Sequence, residues 1–529
     1  MTAIRGDRRV SRGEVPAVGG LLLVVGFAAL AWHIAHGGFY SDDWSNAANY
    51  HFASSPRYLH AVRHEMDDLG SRPGLAILLP IPHAVFGVHP GAQIALAAVL
   101  AALMCLVFHV FLRTVGLGAV HAAAIASLVV LFPWADSIRL WPTASVGCVP
   151  IAIALAGATL SLRAAERQGR AAALRHAAAL VLFACSVLTY EMAAGGLLLL
   201  GALYLPRMQR RRALRWWVLD VIVVGSALAY EGATTTSPVS SVSQHIHAIP
   251  EFTRESLEIF SLLFVPYGVP KGTTTDICEA VAFAAAAIVV ALAVRRVVRT
   301  GDPDLTRWLM VAAGSVVAVA AAYAVLVGTY LKPDFPGTAN RVNLFAALGY
   351  TTLAYAVLLM AARLVASRPA REPVVAIALV ALLGAGFAVR FGKDEAAWDR
   401  AARLQGPVLD AAASYAETLP RDSVVFTFGA SGEVPAAIPV FDTDWDTTGA
   451  LRLRTNDSSL RAYPVFDGVQ IACEAAGIAT RIPNETDTFR ASYRSSYFID
   501  VRTGRRVRVS SRSICRGAVK SFPLAPLDA

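Results

Sequence analysis

The sequence predicts a polytopic α-helical membrane protein of about eleven transmembrane helices, followed by an external α+β domain. Three observations predict it. The 529-residue chain is 56% hydrophobic and only 16% charged, whereas a soluble chain carries about 25% charged residues. Apolar runs of spanning length recur up to residue 390. Arginines cluster in the short connections between those runs, the pattern by which membrane proteins orient themselves. The net charge of +9 therefore does not signal nucleic acid, and no basic helix interleaved with aromatics occurs outside these connections.

The runs fall at 17–35, 91–112, 119–134, 144–163, 173–190, 192–206, 216–232, 278–294, 308–330, 342–364 and 373–390. The first follows a basic N-terminus and reads as an uncleaved span. It is long enough to cross, and no small-residue cleavage site follows it. The segment GLAILLPIPHAVFG (74–87) is short and broken by Pro80 and Pro82, which suits an interfacial or re-entrant piece. Charge decides its status. Arg5, Arg8, Arg9 and Arg12 place the N-terminus in the cytoplasm. If 74–87 does not cross, the clusters at Arg163/Arg167/Arg170, Arg207–Arg215, Arg295–Arg307 and Arg363–Arg371 fall inside too. If it crosses, all of them move outside. The expected division is a membrane module over 1–390 and an external soluble domain over 391–529. Loops 36–90, 135–143, 233–277 and 331–341 lie on the same outer face as that domain.

The tail opens with a helical pattern, DEAAWDRAARLQGPVLDAAASYAETL, with Ala and Leu recurring at three and four residues. Short alternating runs follow, SVVFTF, YFIDV and RRVRVS, and DVRTGRRV reads as strand–turn–strand with Gly504 in the turn. Cys105, Cys148 and Cys185 lie in spans and read as small packing residues, and Cys278 lies near an external helix end. Cys473 and Cys515 both fall in the external domain, where a disulfide is expected. The sequons at Asn456 and Asn484 read as chance matches.

The first external loop begins GGFYSDDWSNA, at Gly37. An acidic pair at a membrane exit is ordinarily just solvated. Three features argue for more. Asp42 and Asp43 lie close to the bilayer surface, where a carboxylate's basicity is easily raised. Tyr40 and Trp44 bracket them, as aromatics lining a sugar site or an interfacial belt would. The same loop carries His60, Arg63, His64 and Arg72. His60 and His64 share a helix face at i,i+4 but do not form a zinc motif, and a solvated amphipathic helix is the better reading. Glu191 follows Tyr190 at an external helix end, where an ionisable group is a functional candidate or a helix-cap residue. Asp136 and Arg139 read as a pair within their loop.

The order of these features resembles the GT-C superfamily of membrane glycosyltransferases, which use polyprenyl-phosphate-linked sugars. The likeness is carried by the acidic pair after one helix, and by RPGLAILLPIPHAVFGVHPGAQIALAAVLAALMCLVFHVFLRTVG from Arg72. LFPWADSIRLWPTAS (131–145), LTYEMAAGGLLLL (188–200) and YLKPDFPGTANRVNLF (330–345) extend it over roughly the first 390 residues. The resemblance implies transfer of a hexosyl or pentosyl group to a cell-envelope glycan, lipid or protein. Asp42 or Asp43 would be the general base, with Tyr40, Trp44 and Glu191 lining the substrate. Arg72, Lys332 and Arg341 would hold the donor phosphate, although Arg72 and Arg341 also fit a snorkelling role. A cation held by the acidic pair would be Mg²⁺, Mn²⁺ or Ca²⁺; the resemblance leaves the need for one open. Competing classes are a flippase for lipid-linked saccharides, which would place ionisable groups at mid-bilayer, and a non-catalytic member of the same fold.

Overall fold

A computed structural model describes residues 11–235, 242–264, 273–327, 333, 337–366, 369–435, 437–482, 488–522 and 524. The chain opens with α1 (Glu14–His36). Two helices follow in the first loop, α2 (Asp42–Phe52) and α3 (Arg57–Asp68). The segment 74–87 forms α4 (Pro73–Leu78) and α5 (Pro80–Phe86), each started by a proline at its first turn. Next come α6 (Pro90–Val115), α7 (Ala119–Val130), the short α8 (Ser137–Leu140) and α9 (Cys148–Ala165). Then follow α10 (Arg170–Val187), α11 (Ala194–Leu198), α12 (Leu200–Tyr204) and α13 (Arg210–Thr234). The bundle is completed by α14 (Val242–Leu262), α15 (Thr273–Thr300), α16 (Pro303–Ala324), α17 (Leu344–Val365) and the 45-residue α18 (Glu372–Ala416).

Among the described residues nine helical stretches are long and apolar enough to cross a bilayer. Exposed Leu21, Val24, Ile222, Val281 and Ile377 clothe several of them in apolar surface, as lipid contact requires. The chain is a multi-pass membrane protein. Two further connections reach from one end of the bundle to the other, although their helices are short. At one end, Arg307 donates to Gly116 O (2.9 Å) and Arg207 to Thr114 O (3.2 Å). There also Glu14 meets Arg113 (2.7 Å), and Arg363 bonds Glu372. At the other end Thr143 N–H donates to Asp43 and Arg72 reaches Glu191. The run from Gly116 through α7 to Thr143 and that from Glu191 through α11 and α12 to Arg207 therefore link the arginine-rich face to the face carrying Asp42. The sequence named eleven runs; among the described residues those at 119–134 and 192–206 form only short helices, so nine rather than eleven are long enough to cross as single helices. The pair α4–α5 stays on the Asp42 face: Gly74 N–H donates to Leu188 O (3.1 Å) and Gln93 bonds Gly87 O (2.8 Å).

The second long loop carries α14, which the sequence pattern did not announce. Its Ile259 is buried, and Phe252 packs edge-on against Tyr323 (6.2 Å). Beyond α17, α18 runs without a break through residue 390. The boundary drawn there thus falls inside a continuous helix that leaves the bundle and enters the C-terminal domain.

That domain contains β1 (Val424–Phe428), β2 (Glu433–Val434), β3 (Ile438–Pro439), α19 (Asp444–Thr455) and β4 (Arg461–Val465). It continues with β5 (Gln470–Cys473), β6 (Gly477–Arg481), β7 (Phe489–Ser492), β8 (Ser496–Asp500), β9 (Arg506–Arg508) and α20 (Arg512–Ser521). The main sheet has order β4–β1–β8–β9. β1 is parallel to both β4 and β8, so α19 serves as the crossover that a parallel pair needs. β8 and β9 form the expected hairpin, with Gly504 at φ +70°, a left-handed turn position. Phe426, Phe428, Tyr463 and Phe498 fill the core. A disulfide joins Cys473 to Cys515, with Cα atoms 6.0 Å apart and a sequence separation of 42. A loop of that length corresponds to about 4 kcal/mol in the chain-entropy model. Cys473→Ser is therefore expected to sensitise the domain to protease while leaving the bundle intact, and non-reducing peptide mapping of the parent should recover the two peptides linked.

Candidate active site between the bundle and the C-terminal domain

The segment 37–43 is threaded between the end of α1 and the part of α18 beyond the bundle. Gln405 Nε2 donates to both Phe39 O and Val440 O at 2.9 Å, tying this segment to the domain. Tyr40 has no exposed surface; its hydroxyl donates to Trp398 O (3.0 Å) and its ring meets the Trp398 ring edge-on at 4.7 Å. This corrects the expectation that Tyr40 lines a substrate: the ring is consumed in packing. Trp44 is half-buried between Phe39 and Phe441, again as a packing residue rather than an open platform.

The two carboxylates part company here. Asp43 is wholly buried and accepts the N–H groups of Tyr40 (2.9 Å) and Thr143 (2.7 Å). It fastens the start of α2 to the 131–145 connection. Burial pushes its carboxyl up to about 7 against the pull of those hydrogen bonds. Asp42 is half-buried. Trp445 Nε1 donates to its Oδ1 at 3.1 Å. Burial raises its carboxyl above the ordinary range, and the Arg341 charge and the Trp445 N–H oppose that rise. The preceding residue, Ser41, sits at φ +44°, ψ −120°. Such a conformation costs a β-carbon-bearing residue about 1–3 kcal/mol and persists only where the surroundings impose it, often at functional sites.

Arg341 comes from the 3₁₀ turn Gly337–Asn343. Two buried asparagines bolt that turn down: Asn340 donates to Asp136 Oδ1 (2.6 Å) and Asn343 to Trp134 O (2.7 Å). Arg341 donates to Thr338 O (2.9 Å), and its guanidinium lies 5.3 Å from the centre of the Trp141 ring. Asp136 and Arg139 do not pair as expected. Arg139 donates to the main-chain oxygens of Val129 and Phe132 at the end of α7, while Asp136 turns to Asn340.

Arg72 and Glu191 are brought together, but with each other. Arg72 Nη2 donates to Glu191 (2.6 Å), Arg72 Nε to Glu231 (2.9 Å), and the guanidinium lies over Tyr190 at 4.8 Å. The donor-phosphate role expected of Arg72 and the substrate role expected of Glu191 are thereby replaced by an ion-pair clamp between the first loop, α13 and the end of α10. An arginine whose donors are already engaged by two acidic side chains offers little to a phosphate. Lys332 lies outside the described residues.

The domain contributes what the sequence did not single out. Thr443 and Asp446 form a capping box that fixes the first turn of α19. α19 lies parallel to α2, and a Cβ at Gly449 would fall 2.5 Å from Trp44 O, so only glycine permits that approach. Asp442 faces the same space; burial, reinforced by Glu433 and Asp42, pushes it up to about 6. A Trp inside an acidic stretch, FDTDWD, was the available signal. Further along the α2–α19 pair, a cleft of about 290 Å³ is lined by Asn49, Phe52, His60, His64, Arg452 and Ser458. Among the described residues no three His, Cys, Asp or Glu side chains gather as a metal cage.

A half-buried carboxylate with raised basicity, beside a fixed guanidinium at the rim of a helical bundle and under a domain of the same chain, defines a class. This is a multi-pass membrane protein with a candidate acid–base site at one end of the bundle. Among solved structures, the chain is similar to ArnT from Cupriavidus metallidurans bound to undecaprenyl phosphate, at 14% identity over 86% of each chain and a TM-score of 0.37. It is similar also to ArnT from that organism in the apo state, at 14% identity, the same coverage and a TM-score of 0.36. No protein-family model and no curated protein matches the chain.

Proposed function

We propose that the protein is a GT-C-type glycosyltransferase that moves a sugar from a polyprenyl-phosphate-linked donor to a cell-envelope acceptor. The arrangement around Asp42 carries this reading. The acceptor O–H gives its proton to the Asp42 carboxylate. Its oxygen forms the new bond to the anomeric carbon while the carbon–oxygen bond to phosphate breaks. The electron pair leaves on the phosphate, whose charge Arg341 stabilises. Asp43 holds α2 in place and stays out of the chemistry. The lipid chain would lie in apolar surface beside α4 and α5. The test is transfer of label from a panel of radiolabelled polyprenyl-phosphate sugars to envelope acceptors by the purified protein in liposomes. Transfer that survives Asp42→Asn undiminished would sink the reading.

One observation favours a flippase. Beside the interrupted α11–α12 run, Tyr204 donates to Asp220 (2.7 Å), and Ser161 bonds both Tyr204 (2.8 Å) and His176 (2.9 Å) inside the bundle. That network links its own members together and lies toward the arginine-rich face, at the opposite end from Asp42. It reads as a clamp between α9, α10, α12 and α13. Movement of labelled donor across the membrane without transfer to acceptor would revive the alternative.

The reading places the Asp42 face outside the cytoplasm, as the arginine-rich connections imply. Single cysteines at Gly301, on the arginine-rich face, and at Ser458, on the domain, report on it. In intact cells Gly301→Cys is expected to resist an impermeant thiol reagent and Ser458→Cys to react. The reverse pattern would place the site in the cytoplasm.

A further inference from the structure

We propose that Trp445, carried by the C-terminal domain, positions Asp42 through its indole N–H and offers its open ring face as the platform for the acceptor's saccharide ring. The inference rests on the reading of Asp42 as the base and adds to it the side from which the acceptor arrives.

Trp445 is 43% exposed, although a ring of this size is ordinarily highly buried. Its polar edge is engaged, since Nε1 donates to Asp42 Oδ1 at 3.1 Å. The residue stands in the first turn of α19, which the Thr443–Asp446 capping box and the backbone contact at Gly449 hold against α2. An exposed ring with a fixed edge costs little entropy when a ligand covers it. The C–H face of a sugar ring is the apolar partner that such an aromatic accepts, with hydroxyls left for the polar groups around it. Direction follows from the two neighbours of Asp42. Arg341 approaches from the bundle, the side on which a lipid phosphate must sit. Trp445 approaches from the domain. A ring stacked on Trp445 therefore places its hydroxyl at Asp42, with the donor phosphate on the Arg341 side. On this account the domain is a wall of the active site rather than an appendage.

Four charged or titratable groups act on Asp42 or feel its charge: Asp43 from α2, Glu65 from α3, Asp442 from the domain and Arg341 from the 3₁₀ turn. The Trp445 N–H acts with Arg341 to favour the ionised base. Removing that N–H should move the acid limb of the pH–rate profile upward by about one unit.

The experiment is steady-state kinetics of the full-length protein across pH. The probes are a short-chain polyprenyl-phosphate sugar as donor and methyl glycosides of glucose, mannose, galactose and arabinose as acceptors. Trp445→Phe keeps a ring and loses the N–H; it should shift the acid limb up, lower kcat about tenfold at pH values below that limb and leave acceptor KM nearly unchanged. Trp445→His restores a ring N–H and should return part of that shift. Trp445→Ala removes the face as well and should raise acceptor KM about tenfold while leaving donor KM unchanged. A wild-type profile in Trp445→Phe would overturn the positioning role, and an unchanged acceptor KM in Trp445→Ala would overturn the platform. Asp42→Asn, run alongside, separates the two readings. If it keeps turnover, the base assignment falls. If it loses turnover while Trp445→Phe and Trp445→Ala behave as wild type, only the present inference falls.

Discussion

Asp42→Asn is expected to lower turnover by about 10²–10⁴ while donor binding persists, because the amide cannot take the acceptor's proton. Asp43→Ala is expected to act differently. It strands the buried N–H groups of Tyr40 and Thr143, at about 1–3 kcal/mol each. Its effect should appear in yield and thermal stability more than in the turnover of the protein that folds. The two sites also separate by pH. A base must be ionised, and burial raises Asp42, so turnover should fall with falling pH along a limb above the ordinary carboxylate range of about 4. Asp43 has a folded value of about 7 against 3.8 for the free side chain. It therefore binds its proton more tightly in the folded state. Its favourable contribution to stability is complete below about 4 and is lost as pH rises towards 7. Asp43→Asn should flatten that dependence, measured as the pH profile of the melting temperature in detergent. Equal turnover in Asp42→Asn and the parent would leave Asp42 as a polar residue at the membrane exit.

Breaking the His33–Asp399 contact should give the largest loss of stability. His33 is fully buried in the last turn of α1. Its Nδ1 lies 2.6 Å from Asp399 Oδ1 and its Nε2 2.8 Å from Leu140 O. Both ring nitrogens are thus engaged, one by a side chain of α18 and the other by the backbone of α8. Three distant pieces meet there: the end of α1, the α8 turn and the stretch of α18 that enters the domain. His33→Leu would leave the Asp399 carboxylate buried without its partner, a change expected to cost about 3–5 kcal/mol. The double variant His33→Leu/Asp399→Leu should recover most of the loss, since an apolar pair needs no solvation. Thermal unfolding of the three proteins in detergent checks this. A double variant no more stable than the single one would mean that the contact is not a pairwise clamp. Because segment 37–43 hangs from this junction, the single variant should lower kcat as well.

The membrane architecture was legible because bilayer burial acts on composition. Spanning runs, the Pro-broken 74–87 segment and the one-sided arginines each follow from the cost of putting charge or unpaired backbone into hydrocarbon. The same logic did not reveal that the 119–134 and 192–206 runs are interrupted, since hydropathy reports apolarity and not helix continuity. In the tail, the hairpin at Gly504 and the long helix after residue 390 could be read from local periodicity. The parallel pairing of β1 with β4 and β8 could not, because it joins strands that are far apart in sequence.

At the candidate site the sequence by itself determined that an acidic pair follows the first span, that aromatics flank it and that arginines stand near other helix ends. It could not distinguish Asp42 from Asp43. The difference is made by the N–H groups of Tyr40 and Thr143, which fold around one carboxylate, and by a tryptophan some 400 residues away in sequence that meets the other. Nor could it tell that Arg341 sits beside the pair while Arg72 is spent on Glu191 and Glu231. Residue type sets what a side chain can do. Which neighbour reaches it first is fixed by packing between distant segments, and at a few ångströms that choice decides whether a charge is used in chemistry or in holding the fold together.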